Sequence, residues 1–186
     1  MTPLAALWLP VLLSAVAVFV VSSLIHMVSP WHKGDYPAVP QQEAVMDALR
    51  PYAIPPGDYL MPRPAKRTDM RSPEFTELVK KGPNMILTVI RNGPRPMGGI
   101  FVQWFLYSVI VGVCAAYLAG AALPAGALPR TILKFVGLTA FLGYGLGLAQ
   151  FSIWYHRQWS TTMKGLFDAV IYGVVTAGIF IWLWPK

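Results

Sequence analysis

The sequence predicts an all-α membrane protein with four transmembrane helices and a small α+β polar cap inserted between helices 1 and 2. Apolar residues make up 55% of the chain and charged residues only 12%, against about 25% charged residues in soluble domains. Of the 23 Lys, Arg, Asp and Glu residues, 17 lie between Lys33 and Arg95. Tryptophan prefers the membrane interface, and all seven tryptophans fall near the ends of apolar segments. They are Trp31, Trp104, Trp154 and Trp159 on one side and Trp8, Trp182 and Trp184 on the other.

Four segments are long and apolar enough to cross a membrane, which takes about 20 residues. They are residues 4–28, 100–123, 131–155 and 166–184. A cleavable signal peptide is the rival interpretation of the first segment, but the segment lacks a basic start and has no small-residue cleavage site before Ser29. We therefore interpret it as a retained helix. Short connections follow the second and third segments, so helices 2, 3 and 4 are expected to be antiparallel neighbours.

The polar insert, residues 29–99, is predicted to fold as a cap. Helical patterns at 41–49 and 73–81 are each followed by a Gly/Pro turn and then by a strand pattern, at 59–61 and at 85–90. Ser72 is the expected N-cap of the second helix, with proline at its first position. Two strands are marginal in water, so the cap is expected to rest on the membrane helices or their ends. The alternative is an irregular extended loop.

Charge gives a predicted orientation. The insert and the loop after helix 3 share one face of the membrane, and both termini share the other. Basic residues near the membrane are more numerous on the first face, so the positive-inside rule favours a cytoplasmic insert and termini outside. These residues are Lys33, Arg91, Arg95, Arg157 and Lys164 on the insert face and Arg130, Lys134 and Lys186 on the other.

Histidine and aspartate collect on the insert face and form the one candidate site. Imidazole and carboxylate together are a ligand set for zinc, iron or copper, and an acid near the end of a membrane helix needs a partner or water. The candidate metal ligands are His26, His32, His156, Asp35 and Asp168. The alternative is that the histidines bridge headgroups and backbone, while Asp168 pairs with Lys164 or Arg157.

Small residues recur at four-residue spacing in the predicted helices, which lets helix backbones approach closely. Packing inside the bundle is one interpretation, and a homo-oligomer or a larger membrane complex is the other. The residues that would form such a contact are Gly112, Ala116, Gly120, Gly143 and Gly147. The net charge is +7, but the basic residues are interspersed with acidic ones in the insert or lie at the ends of apolar runs. Anionic lipid is therefore the expected partner, and nucleic acid is not.

The sequence contains no phosphate-binding loop, nucleophile elbow, zinc-protease helix or paired-cysteine motif. No catalytic residue is therefore assigned, no cofactor is predicted by a motif, and an enzyme is not the leading expectation. We expect an accessory or structural membrane component that acts through protein or lipid contacts. The alternative is a metal- or haem-dependent enzyme or cofactor carrier with its site on the cap side, and the third class is a small transporter or channel.

Several short stretches resemble an uncharacterised family of small bacterial multi-pass inner-membrane proteins. They are His32-Lys33-Gly34-Asp35-Tyr36, Pro55-Pro56-Gly57-Asp58-Tyr59, Val102-Gln103-Trp104-Phe105-Leu106-Tyr107, Trp159-Ser160-Thr161-Thr162 and Phe167-Asp168. The resemblance covers most of the chain. It implies a bacterial inner membrane and no particular activity.

Overall fold

The computed structural model describes the whole chain, Met1–Lys186. The chain divides into a membrane unit, Met1–Tyr36 with Pro96–Lys186, and a cap, Pro37–Arg95. In chain order the elements are α1 (Leu4–Val28), α2 (Gln42–Leu49), β1 (Gly57–Met61), α3 (Pro73–Lys81), β2 (Met85–Val89), α4 (Met97–Ala122), α5 (Pro129–Tyr155) and α6 (Trp159–Leu183).

Helices α1, α4, α5 and α6 are each long and apolar enough to cross a membrane. Helix α1 packs against α4 and α6, and α5 packs against the same two helices. Their outward-facing side chains are apolar too, as Leu106, Ile110 and Val174 illustrate. A bundle that is apolar inside and outside is the pattern of a helical membrane protein. The prediction of four transmembrane helices with a small α+β insert is confirmed.

Small residues allow these helices to pack closely. A Cβ atom on Gly173 of α6 would lie 2.9 Å from the backbone oxygen of Gly137 on α5. On α4, a Cβ on Gly112 would lie 3.4 Å from Val11 of α1, and Ala116 is fully buried. These residues thus pack within one chain, as expected for close helix contacts. Gly143 of α5 also packs within the chain, since a Cβ there would lie 3.1 Å from Val111 of α4. Gly147 is exposed on α5, and the oligomer that these residues would support stays a prediction.

Two glycine substitutions on α6 test this packing. We expect Gly173→Ala to lower the stability of the bundle by about 1–3 kcal/mol, because the new methyl group meets backbone that cannot easily move. Gly178→Ala is the control, since nothing lies within 4 Å of its added Cβ; it should be neutral or gain up to about 1 kcal/mol of helix propensity. Thermal unfolding in detergent measures both. Equal midpoints for the two variants would show that α5 and α6 do not pack as described.

The last helix begins two turns before the predicted start at residue 166. His156 adopts a left-handed conformation with φ of 55° and reverses the chain after α5, so that α6 starts at Trp159. Thr162, which precedes the predicted start, is fully buried, and its hydroxyl lies 2.7 Å from that of Ser152 on α5. The polar residues of this stretch suggested a loop, but a hydroxyl that is paired across two helices can lie inside a bundle.

The cap contains the predicted pairs of helices and strands. Strands β1 and β2 are antiparallel, with Leu60 opposite Ile86. The Ser72 hydroxyl accepts a hydrogen bond from the backbone N–H of Phe75 at 3.1 Å, as expected for an N-cap. No residue between 37 and 95 is buried, and Leu87 and Val89 are among those only partly covered. The cap therefore has little hydrophobic core of its own.

Candidate functional site

The candidate metal ligands predicted from the sequence begin with His26 at the end of α1. Its last turn, Leu24–Val28, is a wider π-helical turn, a feature that often occurs at functional sites. The backbone N–H of Ser29 closes this turn by donating to the oxygen of Leu24 at 3.0 Å. His26 lies within the turn, and its side chain is 47% exposed. The helix therefore presents an imidazole at its very end.

Two tight turns then place His32 and Asp35 together. The N–H of Lys33 donates to the oxygen of Pro30, and the N–H of Asp35 donates to the oxygen of His32, both at 3.1 Å. In the second turn the side chains also meet, with Nδ1 of His32 2.7 Å from Oδ2 of Asp35. Both side chains are largely buried, at 15% and 7% exposure. The turns thus orient the imidazole before any contact with another helix.

Helix α6 supplies the other half of the cluster. Lys164, Asp168 and Tyr172 are four residues apart, so they lie on one face of the helix. Lys164 Nζ donates to Asp35 Oδ1 at 2.6 Å, and Oδ2 of Asp168 lies 2.8 Å from Nε2 of His32. The Tyr172 hydroxyl lies 3.3 Å from Nε2 of His26. We call these six residues, His26, His32, Asp35, Lys164, Asp168 and Tyr172, the polar cluster.

The expected pairing of Asp168 with Lys164 or Arg157 is wrong. Lys164 reaches Asp35 instead, and Asp168 contacts His32, with His26 Nε2 at 3.9 Å. A lysine four residues from an aspartate on one helix is only a weak partner. In the cluster both buried carboxylates have a partner, Lys164 for Asp35 and His32 for Asp168, which a pair within α6 alone would not provide.

The ring of His32 lies between two carboxylates. Both of its nitrogens lie within 2.8 Å of a carboxylate oxygen. A neutral imidazole carries a proton on one nitrogen only, so His32 can donate to both Asp35 and Asp168 only in its protonated form.

Asp35 lies outside the membrane helices, and its pKa is shifted by its neighbours in the cluster. Burial alone would raise the pKa of this carboxyl, but the hydrogen bonds from Lys164 and then from His32, with the charges of both, outweigh burial. The pKa of Asp35 is held below its ordinary value as a result. Its carboxylate is therefore ionised at neutral pH and remains an acceptor for both neighbours.

Three donor atoms converge within the cluster. One ligand atom each from His26, His32 and Asp168 lie within 4.8 Å of one another. The second carboxylate oxygen of Asp168, Oδ1, is buried and has no hydrogen-bond partner, although a buried carboxylate oxygen without a partner is unfavourable. Asp35 holds the other nitrogen of His32, as an outer carboxylate does for a metal-bound histidine. Two imidazoles and a carboxylate are a ligand set for a divalent transition metal.

Aromatic rings surround the cluster. The His26 ring stacks on that of His32, with 4.2 Å between centroids and 24° between planes. Trp31 lies beside them, 6.4 Å from the His32 ring, and Lys164 Nζ lies 5.7 Å from the centre of the indole. A cation near the face of an indole is stabilised by its π electrons. Trp31 therefore packs beside both the His32 ring and the Lys164 ammonium group.

The structure brings together four of the five predicted ligands. His26, His32, Asp35 and Asp168 belong to the polar cluster, whereas His156 is exposed at the turn between α5 and α6 and makes no contact with it. The sequence-based prediction missed Tyr172, and it named Lys164 only as a partner of Asp168 rather than of Asp35. Their spacing of four residues on either side of Asp168 was a readable signal, since it places all three on one helical face.

These features define a multi-pass membrane protein with a partly buried cluster of ionisable residues at one end of its helix bundle. No family model, no curated protein and no solved structure matches the chain.

Proposed function

We propose that this protein binds one divalent first-row transition-metal ion through His26, His32 and Asp168 at the end of its membrane helices. The main observation in its support is that the donor atoms of these three residues lie within 4.8 Å of one another, although the residues come from two separate parts of the chain. Ionisable residues inside membrane segments are rare and mark functional sites. In support, Oδ1 of Asp168 is buried without a partner and Asp35 holds the outer nitrogen of His32.

His32 would bind the ion through Nε2, the nitrogen that lies 2.8 Å from Asp168, and a proton on that nitrogen would be released to solvent. The ring would keep its Nδ1 proton, which it donates to Asp35, and Lys164 would continue to balance Asp35. The His26 ring stacks on that of His32, so this 47% exposed side chain would have to rotate to join the site.

Two histidines and one carboxylate are the ligands of non-haem iron(II) centres and of several zinc sites. Both kinds of site keep at least one coordination position for water or a substrate. The set therefore supports zinc or iron(II) over magnesium, which prefers oxygen ligands. A catalytic role for the metal, and a haem in its place, stay predictions.

Calorimetric titration of the detergent-purified, metal-stripped protein tests the proposal. Zinc, and iron(II) under anaerobic conditions, should each bind with one site per chain, and magnesium should give no saturable binding. A Soret absorption band in the protein as isolated would indicate haem instead. Failure of both transition metals to bind would overturn the proposal.

Asp35, the carboxylate bonded to Nδ1 of His32, should increase the affinity of the site for metal. We expect Asp35→Asn to weaken zinc binding by about 10–100-fold, the usual effect of losing the outer hydrogen-bond partner of a metal-bound histidine. Asp58→Asn is the matched control, because Asp58 lies in the cap and bonds only the Thr88 hydroxyl. Competition with a chromogenic zinc chelator measures both affinities. Equal affinities of the two variants would remove Asp35 from the site.

For location, we propose the inner membrane of a bacterium, with residues 29–99 in the cytoplasm and both termini outside. The support is the charge bias toward the insert face. Thr68→Cys in a Cys114→Ala background should resist a membrane-impermeant thiol reagent added to intact cells, because Thr68 lies in the cap. The same variant should react after the cells are opened. Ready labelling in intact cells would reverse the orientation.

A second candidate function, an accessory component acting through protein or lipid contacts, is favoured by the cap. None of its residues is buried, and its exposed apolar side chains include Val45, Met46, Leu49, Leu60, Ile86 and Ile90. Apolar surface of this kind marks interaction sites. A transporter or channel stays a prediction.

A further inference from the structure

The hydroxyl of Tyr172 makes one hydrogen bond, and its partner is Nε2 of His26. The two atoms lie 3.3 Å apart, and Tyr172 is only 4% exposed within the helix bundle. A buried hydroxyl whose proton has no acceptor is unfavourable, so Tyr172 donates to Nε2 and the nitrogen accepts with its lone pair. Nε2 is also the nitrogen of His26 that lies 3.9 Å from Oδ2 of Asp168. The hydroxyl therefore occupies the lone pair that the proposed metal would need.

Neighbouring aromatic rings hold Tyr172 in place. Its ring packs edge-on against Tyr144 of α5, with 5.4 Å between centroids, and against Trp104 of α4, with 6.1 Å between centroids. The indole N–H of Trp104 in turn donates to the Ser22 hydroxyl at 2.7 Å. Ser22 lies on α1, one helical turn before His26. Rings from three helices therefore fix the position of the Tyr172 hydroxyl, and the third of them is tied to α1.

His26 is the less constrained partner of this hydrogen bond. Its side chain is 47% exposed, and its ring lies stacked on that of His32. Metal binding through His26 requires this ring to leave the stack and turn toward the site. A single lone pair on Nε2 cannot accept from a hydroxyl and bind a metal ion at the same time. The rotation that would complete the metal site therefore breaks the hydrogen bond to Tyr172.

We propose that Tyr172 is a positioning residue that opposes metal binding: its hydroxyl holds His26 in the stacked orientation, and the metal must displace it from Nε2. This inference rests on the proposed function, because it concerns the regulation of the same metal site. The hydrogen bond is long at 3.3 Å and joins two uncharged groups, and such a bond changes an equilibrium constant by about 2–10-fold. Tyr172 therefore lowers the affinity for metal without preventing binding.

Nitrogen NMR of the metal-free, full-length protein in detergent tests the contact itself. The histidine rings are isotopically labelled, and His26→Gln identifies the signals of His26. Tyr172→Phe removes only the hydroxyl, and Tyr144→Phe is the matched control because Tyr144 packs on the Tyr172 ring but makes no hydrogen bond to His26. The Nε2 resonance of His26 should move toward that of an unbonded nitrogen in Tyr172→Phe and stay in place in Tyr144→Phe. An Nε2 resonance that Tyr172→Phe leaves unchanged would overturn the proposal.

Zinc titration against a competing chelator tests the effect on binding. We expect Tyr172→Phe to bind zinc about 2–10-fold more tightly than the wild type and Tyr144→Phe to bind it with unchanged affinity. A residue that only supports the structure of the site would weaken binding when altered, so equal or weaker affinity in Tyr172→Phe would overturn the proposal. A wild-type protein that binds no zinc would overturn the proposed function as well. Wild-type zinc binding that Tyr172→Phe does not strengthen would remove the role of Tyr172 alone.

Discussion

Replacing His32 with alanine is expected to weaken zinc binding at least about 100-fold, since loss of an outer partner alone is worth about 10–100-fold. His32 occupies the centre of the polar cluster: Nε2 lies 2.8 Å from Asp168 and Nδ1 lies 2.7 Å from Asp35. Removing the ring takes away one ligand and also the group that orients Asp168. Zinc titration in the presence of a competing chelator measures the change.

His156→Ala is the matched control for this variant. His156 is a histidine at the same predicted membrane face, but it is exposed and lies outside the cluster. Its replacement should leave zinc affinity unchanged. His32→Gln is a second variant that keeps a polar side chain, which guards against loss of binding through unfolding. If His32→Ala and His156→Ala weaken zinc equally, the metal does not bind where we propose.

The second large effect concerns stability. Lys164→Met is expected to lower the free energy of unfolding by about 2–3 kcal/mol, less than the roughly 3–5 kcal/mol for a fully buried pair because the lysine side chain is 27% exposed. Without Lys164, the buried Asp35 carboxylate keeps only His32 to balance it, and His32 is shared with Asp168. The cluster then carries an uncompensated negative charge.

Lys80→Met is the matched control. Lys80 pairs with Glu77 at 2.8 Å on α3, but both side chains are about two-thirds exposed, and exposed pairs contribute no more than about 1 kcal/mol. Unfolding in mixed micelles with increasing denaturing detergent, followed by tryptophan fluorescence, compares the two variants. Similar losses for Lys164→Met and Lys80→Met would show that the polar cluster does not stabilise the bundle.

Local sequence patterns predicted most of the fold. Apolar length alone identified four helices, and the Ser72-Pro73 start with the Gly82-Pro83 turn identified a helix and strand that the structure confirms. The start of α6 was not predictable in the same way. Threonine is common in loops and at helix caps, and only the contact of Thr162 with Ser152 on another helix shows why it lies inside the bundle.

The candidate site was only partly predictable for a similar reason. Its residue types and their common face followed from the topology, which is why His26, His32, Asp35 and Asp168 were candidates. Their pairing depends on the turns after α1, which aim His32 between two carboxylates. The spacing in the sequence favoured a pair between Lys164 and Asp168. In the structure Lys164 pairs with Asp35, which is 129 residues away in the chain.

The metal content of the purified protein tests the central proposal most directly. The wild-type protein and a variant with His26→Ala, His32→Ala and Asp168→Asn are loaded with zinc, passed through a desalting column in detergent and analysed by mass spectrometry for metal per chain. The proposal predicts one zinc per wild-type chain and almost none in the variant, with both proteins eluting at the same volume. A wild-type protein that elutes without zinc, or a variant that retains as much zinc as the wild type, would contradict it.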